Sequence, residues 1–176
     1  MPKIIENVRG LIIDEAKKQI SENGYDNVTI RSIAKACSLG TGTFYNYFKS
    51  KDMLIATFLL EEWNERISRV TEISEREADP MVIIRSIYDE LNEFIERNDT
   101  IFKSAEAIKS FNNFVGGYHK ILRGQIAVPI YNSCIKGEYE NPQFLSEFCA
   151  ESILTWSVAK KDFNHIASVM KKLFVK

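Results

Sequence analysis

Cysteine is scarce in this sequence, and the three residues present, Cys37, Cys134 and Cys149, stand far apart with no CxxC. A disulfide framework needs an even count in an oxidising compartment, and a zinc site needs clustered ligands. The two histidines, His119 and His165, add no cluster. Isolated cysteines in helical sequence read instead as small buried hydrophobes. Glycine and proline are sparse too, eight and four in 176 residues. Sandwiches and barrels need many turns, so this shortage favours helices. Long apolar runs are missing: the apolar stretch 124–135 goes twelve residues without a charge, where a membrane span needs about twenty. The N-terminus has Glu6 close by and no signal-peptide pattern. The expected place is the cytoplasm, with no membrane partner. The glycines at 40 and 42 form no GxGxxG after a strand, and no nucleophile–base motif occurs. An enzyme is therefore not expected, nor is a cofactor or metal.

What is present is 45% apolar and 27% charged, the profile of a folded globular chain. The net charge of −1 conceals an asymmetry. Residues 1–51 carry eight Lys/Arg against five Asp/Glu, and residues 52–176 carry fifteen against nineteen. A basic head on an acidic body suggests that the head meets a polyanion.

Apolar residues Ile5, Ile12, Ile13, Ala16 and Ile20 predict a first helix over 4–22. Asn23-Gly24 closes it, with Gly24 suited to a left-handed position. Thr29 is an N-cap for a short second helix carrying Ile30, Ile33 and Ala34. A third short helix, 41–47, follows the turn at 38–42. Ser50 caps a fourth, which runs from Lys51 to about Glu75. Asp79-Pro80 opens a fifth to about Arg97, and Asp99 is placed to cap a sixth. Gly116-Gly117 breaks the chain. The next helix spans 118–136 with Pro129 inside, where a kink or split is expected, and Gly137 ends it. Asn141-Pro142 opens a helix to about Ala159, and Asp162 caps the last. The fold class expected is all-α.

The second and third helices, joined tightly, have the form of a helix-turn-helix. The third is too short to stand on propensity and must be held by packing, with Phe44 and Phe48 anchored against Ile33 and the first helix. Its other face offers Thr41, Thr43, Tyr45, Asn46 and Tyr47, groups that suit phosphates and base edges. Gly40 and Gly42 serve either as turn residues or as places where backbone approaches a phosphate. Lys51 stands at a helix start, where charge and dipole both favour a phosphate.

The run TIRSIAKA from Thr29, then GTFYNYFKSKDML from Gly42, resembles the DNA-binding signature of the TetR/AcrR family of bacterial repressors. Asn23-Gly24-Tyr25 agrees with that family's end of helix one. The resemblance covers about residues 5–58. It implies an N-terminal three-helix DNA-binding domain, 1–50, and a larger helical effector-binding and dimerisation domain, 51–176. By position, Thr29 and Arg31 would meet the phosphate backbone. Thr41, Thr43, Phe44 and Asn46 would occupy the recognition helix. Tyr45, Tyr47 and Lys51 would be backbone contacts. Two departures stand out. Ser38 replaces a usual glycine, and Gly40-Thr41 replaces a pair that usually includes lysine. The positive contribution must then come from Arg31, Lys35, Lys49 and Lys51.

In the body, Trp63, Tyr88, Phe94, Phe102, Phe111, Phe114, His119, Tyr131 and Trp156 are candidates to line an effector pocket, and equally candidates for plain core. His119 and Tyr131 bring polar tips into apolar sequence. Glu90 and Glu93 read as solvated charges. An apolar stripe on the last two helices, Phe144, Phe148, Ile153, Trp156, Ile166 and Val169, fits either a homodimer seam or the monomer interior. The family resemblance implies a repressor on a palindromic operator in double-stranded DNA, with an apolar or aromatic small-molecule effector. Control by a protein partner, with no pocket, is the alternative.

Overall fold

Along the chain the elements are α1 (Val8–Asn23), a 3₁₀ turn (Tyr25–Asn27), α2 (Ile30–Ala36), α3 (Thr41–Tyr47), α4 (Lys51–Ser74), α5 (Pro80–Arg97), α6 (Asp99–Phe102), α7 (Tyr118–Lys136), α8 (Pro142–Val158), α9 (Phe163–Met170) and a closing 3₁₀ turn (Lys171–Leu173). This computed structural model describes residues 7–107 and 118–175, with the backbone alone for 118 and 119. Among the described residues every regular element is helical. The fold class is all-α, as the sequence suggests.

The chain divides into two units. One runs up to Glu62 and takes in the segment from Asn98. The other comprises Trp63–Arg97 and the chain from α7 onward. The boundary falls inside α4.

In the first unit α1 packs on α2, α2 on α3, and α6 on α1. Its core is Ile12, Ala16, Ile20, Ile33, Phe44, Phe48, Leu54 and Phe58, all buried. Asn98 holds the N-cap position of α6, and no side-chain bond caps that helix. Asp99, expected there, is the first helical residue and pairs with Lys103 at 2.6 Å instead.

In the second unit α7 and α8 pair, and α5 packs against both. Asp79 accepts from the Met81 N–H at 2.8 Å and starts α5. Asp162 does the same for Asn164 at the start of α9. Asn141 sits at the head of α8 in a left-handed conformation and makes no side-chain cap bond. Pro129 does not split α7. The burial of Ile126 and Ile130 on either side of it holds the helix together across the missing backbone donor.

Glu90 and Glu93 depart from expectation. Arg66 of α4 is buried, and its guanidinium donates to Glu90 at 2.7 Å and to Glu93 at 3.2 Å. Burial works against the Arg66 charge, but the two carboxylates outweigh it and hold the group more firmly protonated than usual. The Arg66 hydrogen bond in turn pulls Glu93 below its ordinary range. Cys134 and Cys149 are fully buried, and burial pushes their thiols up to about 11 and about 12.

Candidate nucleic-acid interface

The second helix begins with a reciprocal cap. The Ser32 N–H donates to Thr29 Oγ1, and the Thr29 N–H donates to Ser32 Oγ, each at 3.1 Å. The Ser32 hydroxyl donates to Gln19 Oε1 at 2.6 Å, which ties the start of α2 to α1. The turn that follows is a Schellman motif. Leu39 N–H reaches Ala34 O at 2.8 Å, and Ser38 N–H reaches Lys35 O at 3.0 Å. Ser38 therefore stands at φ 56°, the left-handed position that favours glycine.

No side chain caps α3, so packing holds it. Phe44 is completely buried, its ring centroid 6.0 Å from that of Phe48. Of the two parts expected for Phe44, anchor and DNA contact, the structure leaves it the first, because it has no surface to offer. Tyr45 leans edge-on against Phe44 yet stays 45% exposed, as does Tyr47. Thr41, Gly42 and Asn46 are exposed and Thr43 half-buried. A Cβ added at Gly40 or Gly42 would meet nothing within 4 Å, and neither residue has a positive φ. Neither glycine is therefore demanded by the fold, and both leave the start of α3 bare.

Arg31 and Lys35 are exposed on α2. Lys49 Nζ donates to Tyr45 O at 3.0 Å and closes the end of α3. Ser50 accepts from the Met53 N–H at 3.0 Å and starts α4. Lys51 is more enclosed than expected. Its ammonium donates to Tyr25 O at 3.2 Å, lies 3.9 Å from the Tyr25 ring centroid, and stands 3.8 Å from Glu106. The Tyr25 hydroxyl donates to Asp52. These long-range partners carry no local sequence signal, whereas the caps at Thr29 and Ser50 do.

Among the described candidate effector residues, Trp63 and Tyr88 have local partners and Tyr131 lines a groove. Trp63 is buried, packs on Phe94 at 5.6 Å, and its Nε1–H donates to Gln125 at 3.1 Å. The Tyr88 hydroxyl donates to Lys161 O at 2.6 Å, and its ring meets Phe163. Trp156 is half-buried and Phe102 partly exposed. Tyr131 lines an open groove of about 560 Å³ with Ser74, Glu75, Asn132, Ile135 and Lys136. Phe111 and Phe114, and the side chain of His119, lie outside the described residues. No group of three His, Cys, Asp or Glu gathers to hold a metal among the described residues.

Residues 12–57, which span this helix-turn-helix, match the family described as bacterial regulatory proteins, tetR family. These residues are a DNA-binding segment of the TetR/AcrR type. The fatty acid metabolism regulator protein of Bacillus subtilis is 24% identical over 168 residues that cover 89% of this chain and 87% of the relative. An uncharacterised HTH-type transcriptional regulator of the same organism, YuxN, is 32% identical over 92 residues. That match covers 52% of this chain and 32% of YuxN, so the chain spans about a third of the length of the first curated relatives it matches. Two solved structures share the fold. A TetR-family regulator from Syntrophomonas wolfei superposes with a TM-score of 0.60 at 23% identity, covering 93% of this chain and 91% of its own. FadR of Bacillus subtilis, solved in complex with stearoyl-CoA, superposes at 0.53 and 22% identity, covering 94% and 97%. YuxN is named as a transcriptional regulator and the other Bacillus subtilis relative as a metabolism regulator. No described helix is long and apolar enough to cross a membrane.

Proposed function

We propose that the chain is a ligand-responsive repressor that binds a palindromic operator as a cytoplasmic homodimer. The observation that carries this reading is α3 itself. Seven residues are held by a buried Phe44–Phe48 pair while hydroxyl, amide and phenol groups face outward. Such a face suits a major groove. Thr41, Thr43 and Asn46 read base edges. Thr29, Arg31, Tyr45, Tyr47 and Lys51 hold phosphates, and Phe44 supports them from within. Residues 1–50 read DNA, and 51–176 bind the effector and dimerise. The effector site draws on the candidates Trp63, Tyr88, Phe102, Phe111, His119, Tyr131 and Trp156. The effector shifts the population between two conformers and acts only through its difference in affinity for them. Stearoyl-CoA in the relative FadR makes a long acyl thioester the first probe.

The test is selection from a random duplex pool at two salt concentrations. Enrichment of a palindrome, with affinity falling steeply as salt rises, is expected, and so is its loss on adding stearoyl-CoA or a shorter acyl-CoA. Weak binding with no enrichment sinks the reading. A palindrome insensitive to every acyl probe favours the second reading, control by a protein partner. The exposed, stacked Phe144–Phe148 pair would then be a docking point.

A further inference from the structure

Lys51 does not wait for DNA with its charge uncovered. Three carboxylates, Asp26, Asp52 and Glu106, stand around the corner where the Tyr25 turn meets the start of α4. Two of them are satisfied by hydroxyls: Tyr25 donates to Asp52, and Ser104 donates to Asp26 at 2.6 Å. The third, Glu106, is the carboxylate that stands 3.8 Å from the Lys51 ammonium. Its placement is built. Ser104 is buried, docks its segment on Asp26, and accepts the Ala107 N–H at 3.0 Å, which fixes the turn carrying Glu106. The two ends of the pair differ. The Lys51 side chain is 16% exposed and the Glu106 side chain 60%. The acid can therefore leave toward water while the base stays where Tyr25 holds it.

We infer that Glu106 is a built-in stand-in for a DNA phosphate on Lys51, and that it sets the affinity of the head for nucleic acid by competing for that ammonium. The inference rests on the DNA-binding reading above. A carboxylate and a phosphate oxygen ask the same of an ammonium, a short charge-assisted hydrogen bond. A part-exposed pair at 3.8 Å is weak enough to be exchanged, because most such pairs contribute little net free energy. Binding DNA then requires Glu106 to give up Lys51 and to tolerate a phosphate nearby. Removing the acid charge frees one cation per head.

The experiment compares wild type, Glu106→Gln, Lys51→Ala and the double variant in the full chain. Binding to a random-sequence duplex pool is read by fluorescence anisotropy across a salt series, with folding checked by circular dichroism. Glu106→Gln is expected to tighten binding about two- to five-fold per head and to steepen the slope of log K against log salt by about one per head. In the Lys51→Ala background the same change should do neither. Glu22→Gln, which removes an exposed acid from α1, controls for net charge and should move the slope little. A gain of equal size without Lys51, a gain matched by Glu22→Gln, or a loss on Glu106→Gln each overturns the inference. If wild type binds duplex and Glu106→Gln binds no better, the inference alone fails. If neither binds, the DNA-binding reading fails and carries the inference with it.

Discussion

Arg66 carries one of the largest single-residue stakes in the second unit. Its guanidinium is nearly out of water, and Glu90 and Glu93 take two of its donors. The two acids are not equivalent. Glu90 has 23% of its side chain exposed and also meets Arg69 at 3.3 Å, whereas Glu93 is 60% exposed. Removing the more buried acid strands more of the arginine's charge. Glu90→Gln is expected to cost about 1–3 kcal/mol in a urea melt, and Glu93→Gln less. The Glu93 contribution has a sign in pH. Its folded pKa lies below the ordinary 4.5, so its stabilisation is full above that value and drains away as pH falls through the lowered one. Wild type and Glu93→Gln should therefore differ at pH 7 and converge in acid. A gap that stays constant from pH 7 to pH 3 would show that the ion pair is not its source. From the sequence these acids look solvated, because helix periodicity does not reveal that a cation on another helix of the same unit is buried beside them.

At the scale of elements, three helices end in the same unusual way. α2, α7 and α8 each close with paired bonds of the Schellman type, from Leu39 to Ala34, Tyr139 to Cys134 and Lys161 to Trp156. In each the left-handed position is held by a side-chain residue: Ser38 at φ 56°, Glu138 at 55° and Lys160 at 52°. Glycine is the ordinary occupant, and an L-residue there costs about 1 kcal/mol. Ser38→Gly, Glu138→Gly and Lys160→Gly are each expected to raise stability by about 0.5–1 kcal/mol, the relief being partly offset by the greater freedom of glycine in the unfolded chain. Equilibrium denaturation of the three variants checks this, and destabilisation of all three would show that the side chains matter more than the backbone. The same feature explains what the sequence shows and what it hides. Helix starts were legible at Thr29, Ser50, Asp79 and Asp162, because a short polar side chain advertises an N-cap. Helix ends were less so. Gly137 looks like the terminator of α7, but the left-handed residue is Glu138. Gly137 is small for another reason: a Cβ there would lie 2.5 Å from Ala78 O.

At the scale of the molecule, the proposed homodimer raises the question of which apolar face a second copy covers. The last two helices were the expected seam, but their stripe is divided. Ile153 and Ile166 are buried inside the protomer, while Phe144, Phe148 and Val169 remain exposed. Exposed apolar residues lie on α7 as well as on α8. Ile121, Val128 and Ile135 recur every seven residues along α7, each about half exposed, so they share one side of that helix. On α8, Phe144 is 68% exposed and stacks with Phe148 at 6.3 Å. Apolar residues grouped in this way mark a contact surface, and two copies of a helix pair form a four-helix bundle about a two-fold axis. Each phenylalanine buried at such a seam is counted twice by the symmetry. Replacing both by glutamate should weaken the dimer by about 4–6 kcal/mol, three to four decades in dissociation constant. Val169→Glu, on α9, should leave it intact. Sedimentation velocity across a dilution series distinguishes these outcomes. A monomeric Phe144→Glu/Phe148→Glu variant that keeps its helical circular dichroism should also lose most of its operator affinity, because one head alone reaches only one half-site. If that variant stays dimeric while Val169→Glu dissociates, the seam belongs to α9, and the exposed apolar residues of α7 and α8 are left for a different partner.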